Sequence, residues 1–103
     1  MVLAAGLTPA AAHADSGWTT PGRVLDLTVE APARFELRLE VESNPSRCRE
    51  TQHFYRGTLD AASSRMFDLL LAAYRDGRAV RVYVTGVCDI NGFAEISQVG
   101  TAP

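Results

Sequence analysis

A small, mainly β fold with one helix is what the sequence predicts, and three observations carry the prediction. Three stretches, at 22–30, 34–42 and 79–87, alternate apolar and polar residues, as strands with one buried face do. One stretch, at 61–76, spaces its apolar residues as a helix does. The whole chain is 103 residues, 47% hydrophobic and 21% charged, which is too short for two cores and too apolar for a disordered tail. No apolar run reaches the length of a membrane-spanning helix. The net charge is −2 and every basic residue besides histidine is Arg, so no global attraction draws the chain to nucleic acid or anionic lipid.

The first residues read as an export signal. Val2 to Ala14 carries no charge, and Ala12-His13-Ala14 fits the small-x-small cleavage site. No Lys or Arg precedes the run, so the expectation is a signal peptide over 1–14, truncated at its own N-terminus, with an Ala-rich leader of no fixed structure as the alternative. The domain is then 15–103 and its location secreted or periplasmic. Two cysteines in an exported chain predict one disulfide, Cys48 with Cys88. Two unpaired buried thiols are the alternative. Zinc is not expected, because neither Cys belongs to a CxxC pair and the domain holds one histidine, His53.

Gly22 to Glu30 is the first strand, with Leu25, Leu27 and Val29 on its buried face. Ala31-Pro32-Ala33 is a turn. Arg34 to Glu42 returns, with Phe35, Leu37, Leu39 and Val41 inward and Arg34, Glu36, Arg38, Glu40 and Glu42 outward. Gln52 to Leu59 forms a short third strand with Gly57 at a bulge or bend. The helix runs from Ala61 to Asp76, capped by Asp60, Ser63 or Ser64. Its core stripe is Met66, Leu70 and Ala73 with Phe67, Leu71 and Tyr74, and Gly77 ends it. Ala79 to Val87 is the fourth strand, Val80, Val82 and Val84 inward, Arg81, Tyr83 and Thr85 outward. Asn91-Gly92 marks a hairpin turn, and Phe93 to Val99 is the last strand.

The order β-β-β-α-β-β is that of an OB-fold-like small barrel with the helix plugging one end. An open sheet with the helix on one face has the same order.

Catalysis finds little support in the residues. A Cys48–His53 nucleophile pair needs a free thiolate, which a disulfide removes. No phosphate-binding Gly loop is present, and Asp89 and Asn91 lack the rest of a calcium loop. We therefore expect no enzyme, no cofactor and no metal. Nucleic acid is not expected as a partner, since Glu36, Glu40 and Glu42 interrupt Arg34, Arg38, Arg81 and Tyr83. The ligand-binding candidates are Trp18, Tyr55, Arg81 and Tyr83, flat rings and a guanidinium suited to a glycan or protein surface. Core roles for Phe54 and Phe93, and a rim position for Trp18, are the structural alternatives.

Residues 66–74 (MFDLLLAAY), leading into 77–84 (GRAVRVYV) and ending at Cys88, with a final Ile96-Ser97 strand, carry a family resemblance. With Cys88-Asp89-Ile90-Asn91-Gly92 they resemble the small exported bacterial proteins similar to the B subunit of subtilase cytotoxin. The resemblance is best over 64–99 and loose over 22–42. It implies an OB-fold, a non-catalytic binding role toward sialylated glycans, and assembly as a ring of five. Ring contacts would fall on the outer edges of the first and last strands and on the helix face bearing Arg65, Asp68, Ala72 and Arg75. That face reads as solvated, which favours a monomer. A solitary exported protein with a structural or inhibitory role is the second expectation.

Overall fold

The computed structural model describes residues 15–58 and 60–102. The signal peptide expected over 1–14 lies outside them. The strands are β1 (Gly17–Trp18), β2 (Gly22–Glu30), β3 (Arg34–Glu40), β4 (His53–Arg56), β5 (Ala79–Cys88) and β6 (Ala94–Thr101), with α1 (Ala61–Asp76) between β4 and β5. Neighbours run β1-β5-β2-β3-β4-β6, and β6 pairs back onto β5. The five strands β5-β2-β3-β4-β6 thus close into a barrel, which leaves less exposed edge than an open sheet would keep. All pairings are antiparallel except β4 with β6.

Alternation fills the barrel. Leu37, Leu39, Phe54, Val82, Val84 and Ile96 point inward and are 2% exposed or less. Each is worth about 1.5–3 kcal/mol of transfer from water. The helix plugs one end through Leu70 and Ala73, and Phe67 meets Phe35 edge-on at 5.6 Å. Both helix ends follow from local chemistry. The Asp60 side chain accepts the Ser63 N–H at 2.7 Å, and Gly77 takes the left-handed conformation (φ 66°) that lets its N–H reach back to Ala73.

Several expectations are corrected. The order gains a strand: β1, two residues long, pairs with β5 ahead of the predicted first strand. Thr19 joins the two pieces, donating its N–H to the Val82 carbonyl and accepting the Val82 N–H on its hydroxyl. The buried face of β2 changes register, because a bulge between Val24 and Asp26 sends Val24 into the core. Val29 is 67% exposed, since β2 pairs with β5 only at Gly22 and Arg23 and its far half has a strand on one side alone. Tyr74 leaves the helix stripe and is 51% exposed. β3 stops at Glu40, where the Val41 N–H turns back to Leu39. β4 spans four residues, with Gly57 past its end and not inside it.

Cys48 and Cys88 are disulfide-bonded, Cα atoms 5.5 Å apart. The bridge ties the loop after β3 to the β5–β6 hairpin, and the Glu50 N–H to Gly92 carbonyl bond (2.9 Å) continues the clasp. That hairpin is a three-residue loop, Ile90-Asn91-Gly92, between Asp89 and Phe93, with Gly92 left-handed (φ 84°). Asn91-Gly92 therefore closes a longer loop and is not the centre of a two-residue turn.

Candidate functional site

Three of the four binding candidates meet on one wall of the barrel. The outward positions of β5 alternate as Arg81, Tyr83 and Thr85, and β1 lays Trp18 directly opposite Tyr83. The Trp18 and Tyr83 rings meet edge to face, centroids 5.5 Å apart and planes 87° apart. This arrangement puts the positive ring edge against a negative ring face. The Arg81 guanidinium lies 4.2 Å above the Trp18 ring centre, a cation–π contact on the ring's other attractive partner. Its Nε is buried and has no hydrogen-bond acceptor among the described residues.

Gly100 makes the stack fit. It sits opposite Arg81 on β6, and a β-carbon there would lie 3.2 Å from Arg81 Nε and 3.5 Å from the Trp18 ring. A residue without a side chain lets both groups lie close to the strand. Gln98, opposite Tyr83, is exposed and borders the same patch. Sequence reasoning missed both. The last strand was expected to end at Val99, one residue short of Gly100, so the glycine did not read as a strand position where a neighbour approaches closely.

Tyr55 belongs elsewhere. It projects from β4 on the outer wall yet is 8% exposed, because the Arg34 guanidinium covers its ring at 4.3 Å. Burial, then the charges of Glu95 and Asp89, push its phenol above the ordinary tyrosine range, with Arg34 opposing. Trp18, Arg81 and Tyr83 lie along the first half of β5, whereas Arg34 meets Asp89 beyond the end of that strand. Arg34 also pairs with Glu36 and Glu30, so it offers no free charge to a phosphate backbone.

The remaining sequence candidates for chemistry resolve as structure. Cys48 is committed to the disulfide, which leaves His53 no thiolate to activate. The His53 ring stacks on Phe93 at 4.8 Å, so Phe93 joins the outer wall while Phe54 alone of the two enters the core. Asp89 ties the hairpin: its Oδ1 accepts the N–H of Asn91 and of Phe93. No protein-family model matches the chain, and no characterised protein matches it in sequence.

Proposed function

We propose that this protein is an exported, non-catalytic binding module whose β1–β5 wall takes a glycan or a protein surface. The observation that carries the reading is the Trp18–Arg81–Tyr83 array, built on the outside of a closed barrel and floored by Gly100. A sugar ring offers C–H groups to an aromatic face and hydroxyls to a guanidinium, and the array supplies both within one patch. Export is supported by the commitment of both cysteines to a disulfide. The resemblance to toxin B subunits adds the expectation of a sialylated ligand and a ring of five.

The test is a glycan array probed with the disulfide-bonded protein and with Trp18→Ala. Binding to one glycan class, lost in Trp18→Ala and kept in Arg75→Ala, is the expected result. Binding unchanged by Trp18→Ala removes this wall from the function. Light scattering during size exclusion decides the assembly, since weak sites gain by multivalency. One observation favours the second reading, a solitary binding protein: Arg65, Asp68, Ala72 and Arg75 are all exposed on the helix. A monomer on an unresponsive array moves the ligand search to proteins of the exporting cell's envelope.

A further inference from the structure

The tip of the β5–β6 hairpin is set apart from the barrel wall. The register of β5 on β6 shifts between Val84 and Cys88, and inside that break Gly86 takes a left-handed conformation (φ 92°). The ladder resumes at Cys88 opposite Ala94. Beyond the break the turn holds itself together. Asp89 Oδ1 accepts the N–H groups of Asn91 and Phe93, the Asp89 N–H donates to the Phe93 carbonyl, and the Gly92 N–H donates to the Asp89 carbonyl. Other ties latch this turn to the rest of the molecule. The Glu50 N–H donates to the Gly92 carbonyl, Arg49 donates to the Asn91 carbonyl, Arg34 pairs with Asp89, and His53 stacks on Phe93. The Cys48–Cys88 bridge is the covalent tie.

The two ends of that bridge differ. Cys48 is 6% exposed, whereas Cys88 is exposed. A thiolate from solvent therefore reaches Cys88, and exposed bridges are the readily reduced ones. We propose that the bridge is a redox latch, which a dithiol reductant opens in the folded protein to free the hairpin tip. The first thiolate bonds to Cys88 Sγ, the S–S bond breaks, and Cys48 leaves as a thiolate. The reductant's second thiolate attacks its own sulfur in the mixed disulfide and expels Cys88. The dithiol ends as a disulfide, having passed two electrons to the bridge and two protons to the cysteines. The consequence falls on the acidic wall of β3 and β4. Asp89 moves with the tip, and the Arg34 that it holds covers the Tyr55 ring and pairs with Glu30 and Glu36. Opening loosens the guanidinium that keeps Tyr55 8% exposed. Trp18, Arg81 and Tyr83 lie before the break, so the inference stands apart from the β1–β5 wall and survives if that reading fails.

The experiment uses the disulfide-bonded protein without denaturant. Brief treatment with glutathione, quenched with iodoacetamide and mapped by mass spectrometry, shows which sulfur is attacked. Glutathione is expected on Cys88 about tenfold more often than on Cys48. The protein is then opened with dithiothreitol, its thiols are blocked with iodoacetamide, and its tyrosines are nitrated with tetranitromethane. Tyr55 is expected to react about fivefold faster or more than in the bridged protein, since nitration needs an accessible phenol. Tyr74, 51% exposed, is the internal control and should react alike in both. Trp18 emission should stay that of the bridged protein, which shows that the barrel remains folded. A bridge that dithiothreitol does not open, glutathione found equally or mainly on Cys48, Trp18 emission of an unfolded chain after reduction, or Tyr55 equally protected in both forms overturns the proposal.

Discussion

Replacing Gly22 by alanine should be among the most damaging single changes in the molecule. Gly22 opens β2 beside β3, and a β-carbon there would lie 2.0 Å from the Glu40 carbonyl oxygen and 2.5 Å from its carbon. Real contacts need about 3.4 Å or more, so the strands must part by over about 1 Å. The Glu40 backbone has little room to yield. Arg23 pairs with Glu40 and Val24 with Leu39, while on the other side Gly22 pairs with Val80. Overpacking alone costs about 1–3 kcal/mol. Two strained ladder hydrogen bonds add about 1 kcal/mol each. The expected loss is about 3–5 kcal/mol, a large share of the roughly 5–15 kcal/mol that holds a domain folded. Urea unfolding followed by circular dichroism measures it, with Gly57→Ala as the control. At Gly57 the nearest atom to a β-carbon is 3.9 Å away, and the change should stay within about 1 kcal/mol of the parent. A Gly22→Ala protein within about 0.5 kcal/mol of the parent would refute the close-approach reasoning.

Three further outcomes are expected. Removing the disulfide by Cys48→Ala with Cys88→Ala frees a loop of 40 residues' separation and should lower stability in urea by about 4 kcal/mol; a change under about 1 kcal/mol would show that the clasp is held without it. Burial works against the charged form of Asp89, yet the Phe93 N–H, Arg34 and the Asn91 N–H outweigh it and hold the carboxyl below the usual carboxylate range. A carboxyl depressed on folding stabilises the fold above its unfolded pKa of about 3.9 and loses that contribution as pH falls through the lower folded value. Asp89→Asn should therefore flatten the acid limb of a stability–pH profile below about pH 4, and an unchanged limb would contradict the assignment. Trp18 is the sole tryptophan, so its fluorescence reads the β1–β5 wall directly. Arg81→Met should alter its emission as the guanidinium leaves the ring, and an identical spectrum would mean that the stack does not persist in solution.

What the sequence made legible was whatever local chemistry decides. The helix bounds, Ala61 to Asp76, were legible because capping residues and a left-handed stop at Gly77 act over three or four positions, although which of Asp60, Ser63 and Ser64 caps it was settled by the structure, as Asp60. Val80, Val82 and Val84 of β5 were assigned to the core because alternation is a property of the strand itself. β1 was missed because two residues carry no period; its partner, β5, lies more than sixty positions downstream. Val29 and Tyr74 were placed inside because pattern cannot say where the opposing surface ends. The candidate site divides in the same way. Trp18, Arg81 and Tyr83 were nameable as residue types, but their meeting depends on the register of β1 on β5 and on Gly100 across the sheet. Tyr55 was grouped with them by type and is separated from them by topology.

That topology gives the two walls different supports. The Trp18 patch hangs on strand pairing alone: β1 on β5, β5 on β6, and the Thr19 bonds to Val82. The Tyr55 centre depends on the hairpin. Asp89 follows Cys88 directly, fixes the turn with one carboxylate oxygen and holds Arg34 with the other, and Arg34 in turn covers Tyr55. Three links thus run from the disulfide to the Tyr55 ring, whereas none of the contacts described for the Trp18 patch involves the turn of the hairpin. Perturbing the bridge therefore acts first on the acidic wall, where a guanidinium must stay seated among carboxylates. The aromatic wall answers to the barrel's own closure, and a protein built this way has two surfaces whose properties can be altered one at a time.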